Sequence, residues 1–327
     1  MRLKHKLLFI ALLLLVPSCV RREGGLYLIS QNRQYGYIDR TGKVIIAPQY
    51  DAAMPFSEGR AIVGQKGNFG VIDEDGKLLT EIRYSDIRPY SEGLAVVRIG
   101  KTFGYFNAEG QIAIKPDFRD AMRFSEGLAA VQTMDSAKWG FIDKEGRRVI
   151  PPQYEFATCF SQGRAMVIKE GKCGFIDRQG TMVIKPQFDD ARNFSDSLCA
   201  VRIGKLWGYI NFGAKVVIEL KFENALAFSE GLAAVLDTAT HRWGFINKQG
   251  TMIIPPQFES VIESFHGGYA SVRQEGKVGV IDTSGKWVIE PKYDFVGKFV
   301  DGLAQVFVEG AIGYVDTAGR TVYAPVE

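Results

Sequence analysis

Trp139-Gly140-Phe141-Ile142-Asp143 is the stretch on which the fold of this chain turns. The phrase returns as Cys173-Gly174-Phe175-Ile176-Asp177 and as Trp243-Gly244-Phe245-Ile246-Asn247. Anchored on its glycine, it recurs at Gly36, Gly70, Gly104, Gly140, Gly174, Gly208, Gly244, Gly279 and Gly313, in steps of 34 to 36 residues. Self-similarity at such a period marks a repeat architecture. Helical arrays can share this period, but each unit here carries several glycines and usually a proline. The short runs between these breakers leave no room for helices of about ten residues or more.

The unit therefore reads as three short strands. Strand A is Gly127 to Val131, strand B is Trp139 to Asp143, and strand C is Arg147 to Tyr154. Asp143-Lys144-Glu145-Gly146 joins B to C as a turn, with Asp capping the backbone and Gly supplying a positive φ. The sixth unit places its glycine one residue early, in Asn211-Phe212-Gly213-Ala214, so a different turn is expected there. A recurrent proline (Pro48, Pro116, Pro152, Pro186, Pro256, Pro291, Pro325) should end the ladder of strand C, because it has no N–H to donate. Two aromatics per unit, the Tyr154 and Phe160 positions, are the expected core. Their burial needs neighbouring units.

These residues, x-W-G-[FY]-[IV]-[DN] followed by G-x-x-x-I-x-P and F-S-E-G-L-A, resemble the WG-repeat family, also called KWG repeats. The resemblance spans residues 25–327, with the tryptophan kept at Trp139, Trp207 and Trp243. It implies a bacterial repeat architecture, often found in surface or envelope proteins, and little defined chemistry. The expected fold is all-β: nine three-stranded antiparallel meanders in an open β-superhelix or solenoid. The units begin and end flush with the A–B–C boundaries, with no terminal strand offset to complete another unit. A closed β-propeller is the alternative, and a fourth short strand from the connector would favour it.

The N-terminus stands apart. Arg2, Lys4 and Lys6 precede an unbroken apolar run, Leu7 to Val16, and then Pro17-Ser18-Cys19. Ten apolar residues are too few to span a bilayer but suit a secretory signal. The segment resembles a bacterial lipoprotein signal. That resemblance implies a signal peptide at 1–18, lipid attachment at Cys19, a linker at 19–24 and a repeat domain at 25–327. It implies an exported, lipid-anchored protein. Without an Asp after Cys19 the outer membrane is favoured, and secreted or periplasmic protein is the alternative.

The three basic residues of the signal account for the whole net charge of +3, leaving 37 basic against 37 acidic residues. A neutral body disfavours nucleic acid and leaves lipid anchoring as the only membrane contact. A composition of 46% hydrophobic and 24% charged residues excludes wholesale disorder. Cys159, Cys173 and Cys199 have no disulfide or zinc spacing, and Cys173 and Cys199, which stand where other units carry aromatic or Ala residues, read as apolar fillers. His241 and His266 have no ligand partners at metal spacing, so neither a metal, a cofactor nor a catalytic constellation is expected. The recurrent F-S-E-G glutamates (Glu58, Glu92, Glu126, Glu230) repeat with the unit and read as structural.

Function is then expected from a surface. A second periodicity of 104 residues relates Phe124–Val131 to the identical Phe228–Val235, and it places longer A–B loops at 132–138 and 236–242. Asp135, Lys138 and Trp139 in one, with Asp237, His241, Arg242 and Trp243 in the other, combine polar groups with aromatic bodies as recognition sites do. The sequence-level reading is an envelope-anchored binding or scaffolding surface for a protein or glycan partner. An envelope glycan hydrolase with an acidic cleft and a purely structural spacer are the alternatives.

Overall fold

The computed structural model describes residues 25–324. The expected signal at 1–18, Cys19, the 19–24 linker and Pro325 lie outside the described residues. Every regular element among the described residues is a β-strand. Strands A and B of the fourth unit are Ala129–Thr133 and Trp139–Ile142, and strand C is Arg148–Tyr154. All pairings are antiparallel between sequence neighbours, so the sheets are meanders.

A fourth strand completes most units. In the fifth unit Phe156–Ala157, in the connector after Tyr154, pairs with strand A at Ile168 and Val167. Sheets ordered connector–A–B–C follow through the ninth unit. The expectation of three strands is corrected here. The two-residue connector strand was too short to carry a period-2 pattern. In the third unit strand C and the next connector merge into one strand, Ile112–Ala121, which joins two units into a seven-stranded sheet.

The B–C turn forms as its residues require. Asp39 Oδ1 accepts the N–H groups of Thr41 (2.8 Å) and Lys43 (3.1 Å), and Gly42 has φ 87°. The sixth unit keeps this geometry, contrary to expectation: Asn211 Oδ1 takes the capping role and Ala214 adopts φ 62°. The proline role is corrected as well. Strand C bulges between Ile150 and Tyr154, which pair with Phe141 and Trp139, and Pro151-Pro152 lie within that bulge. The ladder resumes beyond the proline. The bulged backbone crosses directly over the strand-B glycine, where a Cβ on Gly140 would lie 2.5 Å from Ile150 O and 2.8 Å from Pro152 N. Only glycine leaves that space.

Strands A and B are buried on both faces, because each sheet is sandwiched between its neighbours. Phe124, Phe160, Phe194 and Phe228 are fully buried, and Tyr105 and Tyr209 reach the next connector, donating to Met122 O and Leu226 O at 2.8 Å. The apolar clusters fall between successive units. One joins Phe141 and Ile150 to Phe160 and Val167, and the next joins Phe175 and Ile184 to Phe194 and Val201.

The same packing joins the ends. Leu28 and Ile29 of the first unit share a cluster with Leu303, Ile312 and Tyr314 of the ninth. Tyr314 Oη donates to Leu28 O (2.8 Å), the Tyr27 and Tyr314 rings meet edge to face at 5.3 Å, and Gln31 Nε2 donates to Tyr323 Oη (2.9 Å). The open stack is thereby corrected to a closed ring of nine units. Side-chain packing closes it, so no strand offset between the termini is needed.

Candidate functional site

Alternating strand direction sorts the loops onto two faces. The connector–A and B–C turns share one face; the A–B turns share the other.

On the first face each F-S-E-G segment is a two-residue hairpin with both central residues at positive φ, as at Glu58 (52°) and Gly59 (73°). Glutamate is a strained choice there. Its use is explained by its reach. Glu58 Oε1 and Oε2 accept the N–H groups of Glu92 (2.7 Å) and Gly93 (2.8 Å) in the next unit's turn. The link repeats from Glu92 to Gly127, Glu126 to Gly163, Gln162 to Ser197, Asp196 to Gly231, and Glu230 to Gly267 and Gly268. Burial pushes the Glu92 carboxyl up, but the Gly127 N–H, Lys144 at 3.2 Å and the Glu126 N–H outweigh it and hold it below the usual range. Seryl hydroxyls add a parallel set of links, such as Ser125 Oγ to Phe160 O (2.8 Å).

On the second face the residue after the strand-C aromatic caps the following tight A–B turn. Asp51 accepts Lys66 N–H, Glu155 accepts those of Glu170 and Gly171, Asp189 that of Gly204, and Asp294 that of Glu309. The Lys172 ammonium holds Asp189 below the ordinary carboxylate range, and the Lys277 ammonium does the same for Asp294.

The two longer loops lie on this second face, three units apart, which is a third of the way round the ring. They do not form one continuous patch. Asp135 accepts Ser136 N–H (2.9 Å), and its carboxyl is held low by the Thr133 hydroxyl. Lys138 is half-buried, its N–H donating to Ser136 Oγ. Trp139 is buried at 5% exposure against Phe156, so its indole belongs to the interior. Asp237 folds its loop by accepting Ala239 N–H, Thr240 N–H and the Thr240 hydroxyl. His241 Nδ1 lies 2.6 Å from Glu223 Oε2, and Arg242 Nη1 lies 3.6 Å from Glu259 Oε1. Trp243 is half-buried. Glu223 occupies the turn-capping position of the other units, and here it meets a histidine instead.

Among the described residues no group of three or more His, Cys, Asp or Glu side chains is placed to hold a metal. Cys173 and Cys199 are buried, and burial pushes both thiols up. Two clefts flank the seam between the ninth and first units. One of about 560 Å³ is lined by Arg33, Tyr35, Asp51 and Glu309, and one of about 510 Å³ by Tyr27, Phe56, Phe295 and Lys298. Sequence reasoning missed the inter-unit carboxylate ladder, because its acceptors are visible as repeated glutamates while its donors are backbone groups.

Among solved structures, the chain is similar to one described as the crystal structure of the eukaryotic initiation factor, with TM-score 0.66 at 11% identity, covering 91% of this chain and 95% of that one. It is also similar to dihydro-heme d1 dehydrogenase NirN in complex with DHE, with TM-score 0.52 at 12% identity, covering 82% of this chain and 73% of that one. At such identity the likeness is one of fold alone. A search of curated protein sequences returned no match. The WG containing repeat matches eight segments, 35–69, 69–102, 103–135, 139–173, 174–207, 207–237, 243–277 and 279–310. The ninth unit of the structure, around Gly313, falls beyond the last of them. With matched segments covering most of residues 35–310, the chain belongs to the WG containing repeat family.

Proposed function

We propose that this protein is a nine-bladed β-propeller of the bacterial envelope that serves as a binding or scaffolding surface for a protein or glycan partner. It is exported by its signal segment and held by lipid on Cys19, most naturally at the outer membrane. One observation carries the reading. The carboxylates that recur with the repeat are committed to backbone N–H groups, either of the next unit's turn or of a tight A–B turn. They build a rigid ring, and what varies from unit to unit is the loops on its faces. Loops on one edge of a repeat array are where partners usually bind.

The test is a cross-linking pull-down from the envelope fraction with the intact, lipidated protein. A variant in which the loops at 132–138 and 236–242 are each shortened by two residues, to the length of the other units' A–B turns, should lose partner capture at nearly unchanged thermal stability. Capture undiminished in that variant would move the binding face away from the A–B edge. Cys19→Ser should release the protein from membranes, since diacylglycerol on that residue is the proposed anchor; retention would exclude it.

A further inference from the structure

The carboxylate ladder of the first face stops at one unit. In the eighth unit the hairpin is His266-Gly267-Gly268-Tyr269, so Gly267 stands where other units carry Glu, Gln or Asp. The ninth unit's turn has the same backbone as the others, with Asp301 at φ 49° and Gly302 at φ 81°. Among the described residues, no side chain reaches its two N–H groups. The spacing is right for one: Gly267 precedes Asp301 and Gly302 by the same interval that separates Glu58 from Glu92 and Gly93.

The electrostatics also favour an anion. Arg40, on the first unit's B–C turn, lies across the seam with Nη2 3.7 Å from the point a Cβ on Gly302 would occupy. It is exposed and makes no ion pair among the described residues. Paired backbone N–H groups in successive left-handed residues form a concavity that accepts anionic oxygens. In this protein the same turn is seen holding a glutamate carboxylate with both oxygens. The turn residue's own carboxylate does not prevent this, since Glu92 receives Glu58 while its own side chain bonds onward to Gly127.

We propose that the Asp301–Gly302 turn, flanked by Arg40, is a recognition site for a carboxylate side chain on an acidic peptide segment of a protein partner. This deepens the binding role proposed above and rests on it. The occupant is inferred from the protein's own chemistry, because every carboxylate seen in an equivalent turn is a Glu or Asp side chain presented by a peptide loop.

The probes are N-acetylglutamate amide and an acidic peptide carrying one glutamate, titrated while the backbone amide signals of Asp301 and Gly302 are followed by NMR. Two variants frame the result. Gly267→Glu restores the ladder, and Gly267→Ala carries the same backbone strain without adding a carboxylate. A Cβ at Gly267 meets nothing within 4 Å, and its φ of 61° is close to the values Glu58 and Glu92 adopt in equivalent turns, so both should fold. Saturable shifts in the wild type and in Gly267→Ala, abolished in Gly267→Glu, are expected, with Gly267→Glu melting above Gly267→Ala. Absent shifts in the wild type, or equal shifts in Gly267→Glu, would overturn the proposal. Envelope pull-down separates the two readings. Capture lost only in Gly267→Glu supports the site, whereas capture kept in all three overturns it and leaves the binding role standing. No capture by the wild type counts against the binding role, and the amide titration still decides the site.

Discussion

At the scale of single residues, the strand-B glycine and the hairpin glutamate are fixed by opposite needs. Gly140 is where side-chain volume is forbidden, because the bulged backbone of strand C lies 2.5 Å from any Cβ. Gly140→Val should therefore destabilise the protein by more than ~2 kcal/mol through overpacking against backbone that cannot yield. Gln179→Ala, on an exposed B–C turn, should change stability by less than about 0.5 kcal/mol. Urea titration of the pair checks the placement of the B–C hairpin, which equal effects would refute. Lys144 is a poorer control than its exposed turn suggests, because its ammonium lies 3.2 Å from Glu92. The glycine's importance was legible in its nine-fold recurrence. The neighbour that excludes a side chain was not, since a bulge leaves no mark in the alternation of strand C.

At the scale of the repeat, consecutive units are joined by buried rings and by carboxylate-to-backbone bonds. Glu92→Ala should cost about 1–2 kcal/mol, the worth of charge-assisted hydrogen bonds at a partly exposed site. Glu92→Gln should cost less, because Gln162 makes the same link to Ser197 N–H at 2.9 Å. The link also sets a pH dependence. The Glu92 carboxyl is depressed in the folded protein, so its contribution is present above the unfolded value near ~4.3 and fades as pH falls through the lower folded value. The gap in denaturant midpoint between wild type and Glu92→Ala should narrow as the pH is lowered from neutral through the acid range; a constant gap would remove the ionised carboxylate from the account. Three strands, the Asp-capped turn and the aromatic core were readable from residue type and spacing. The connector strand was not, because two residues, as at Phe156–Ala157, gain their strand character only from pairing with strand A. The long loops were readable by length. Their internal pairings, His241 with Glu223 and Arg242 with Glu259, join residues of different segments and left no local signal.

At the scale of the whole molecule, the decisive contact is between residues 286 apart in sequence, Tyr314 and Leu28. Periodicity reports what each unit does to the next and says nothing of whether the last unit meets the first. Flush unit boundaries pointed towards an open stack, and the seam shows why they need not. The two end sheets bring complementary apolar faces that pack without sharing a strand. Closure is also what makes the faces rigid platforms, and it brings Arg40 of the first unit beside Gly302 of the ninth. The most direct test is the distance between the ends. Spin labels at Arg33→Cys and Glu309→Cys, with Cys19 and Cys159 replaced by serine, report across the cleft that both native side chains line. Sheets stack about 10 Å apart, so an open row of nine would hold its ends on the order of 80 Å from each other. The closed ring predicts one narrow distribution below about 25 Å, within reach of two labels on adjoining sheets. A broad distribution centred several-fold further out would contradict closure and with it the propeller.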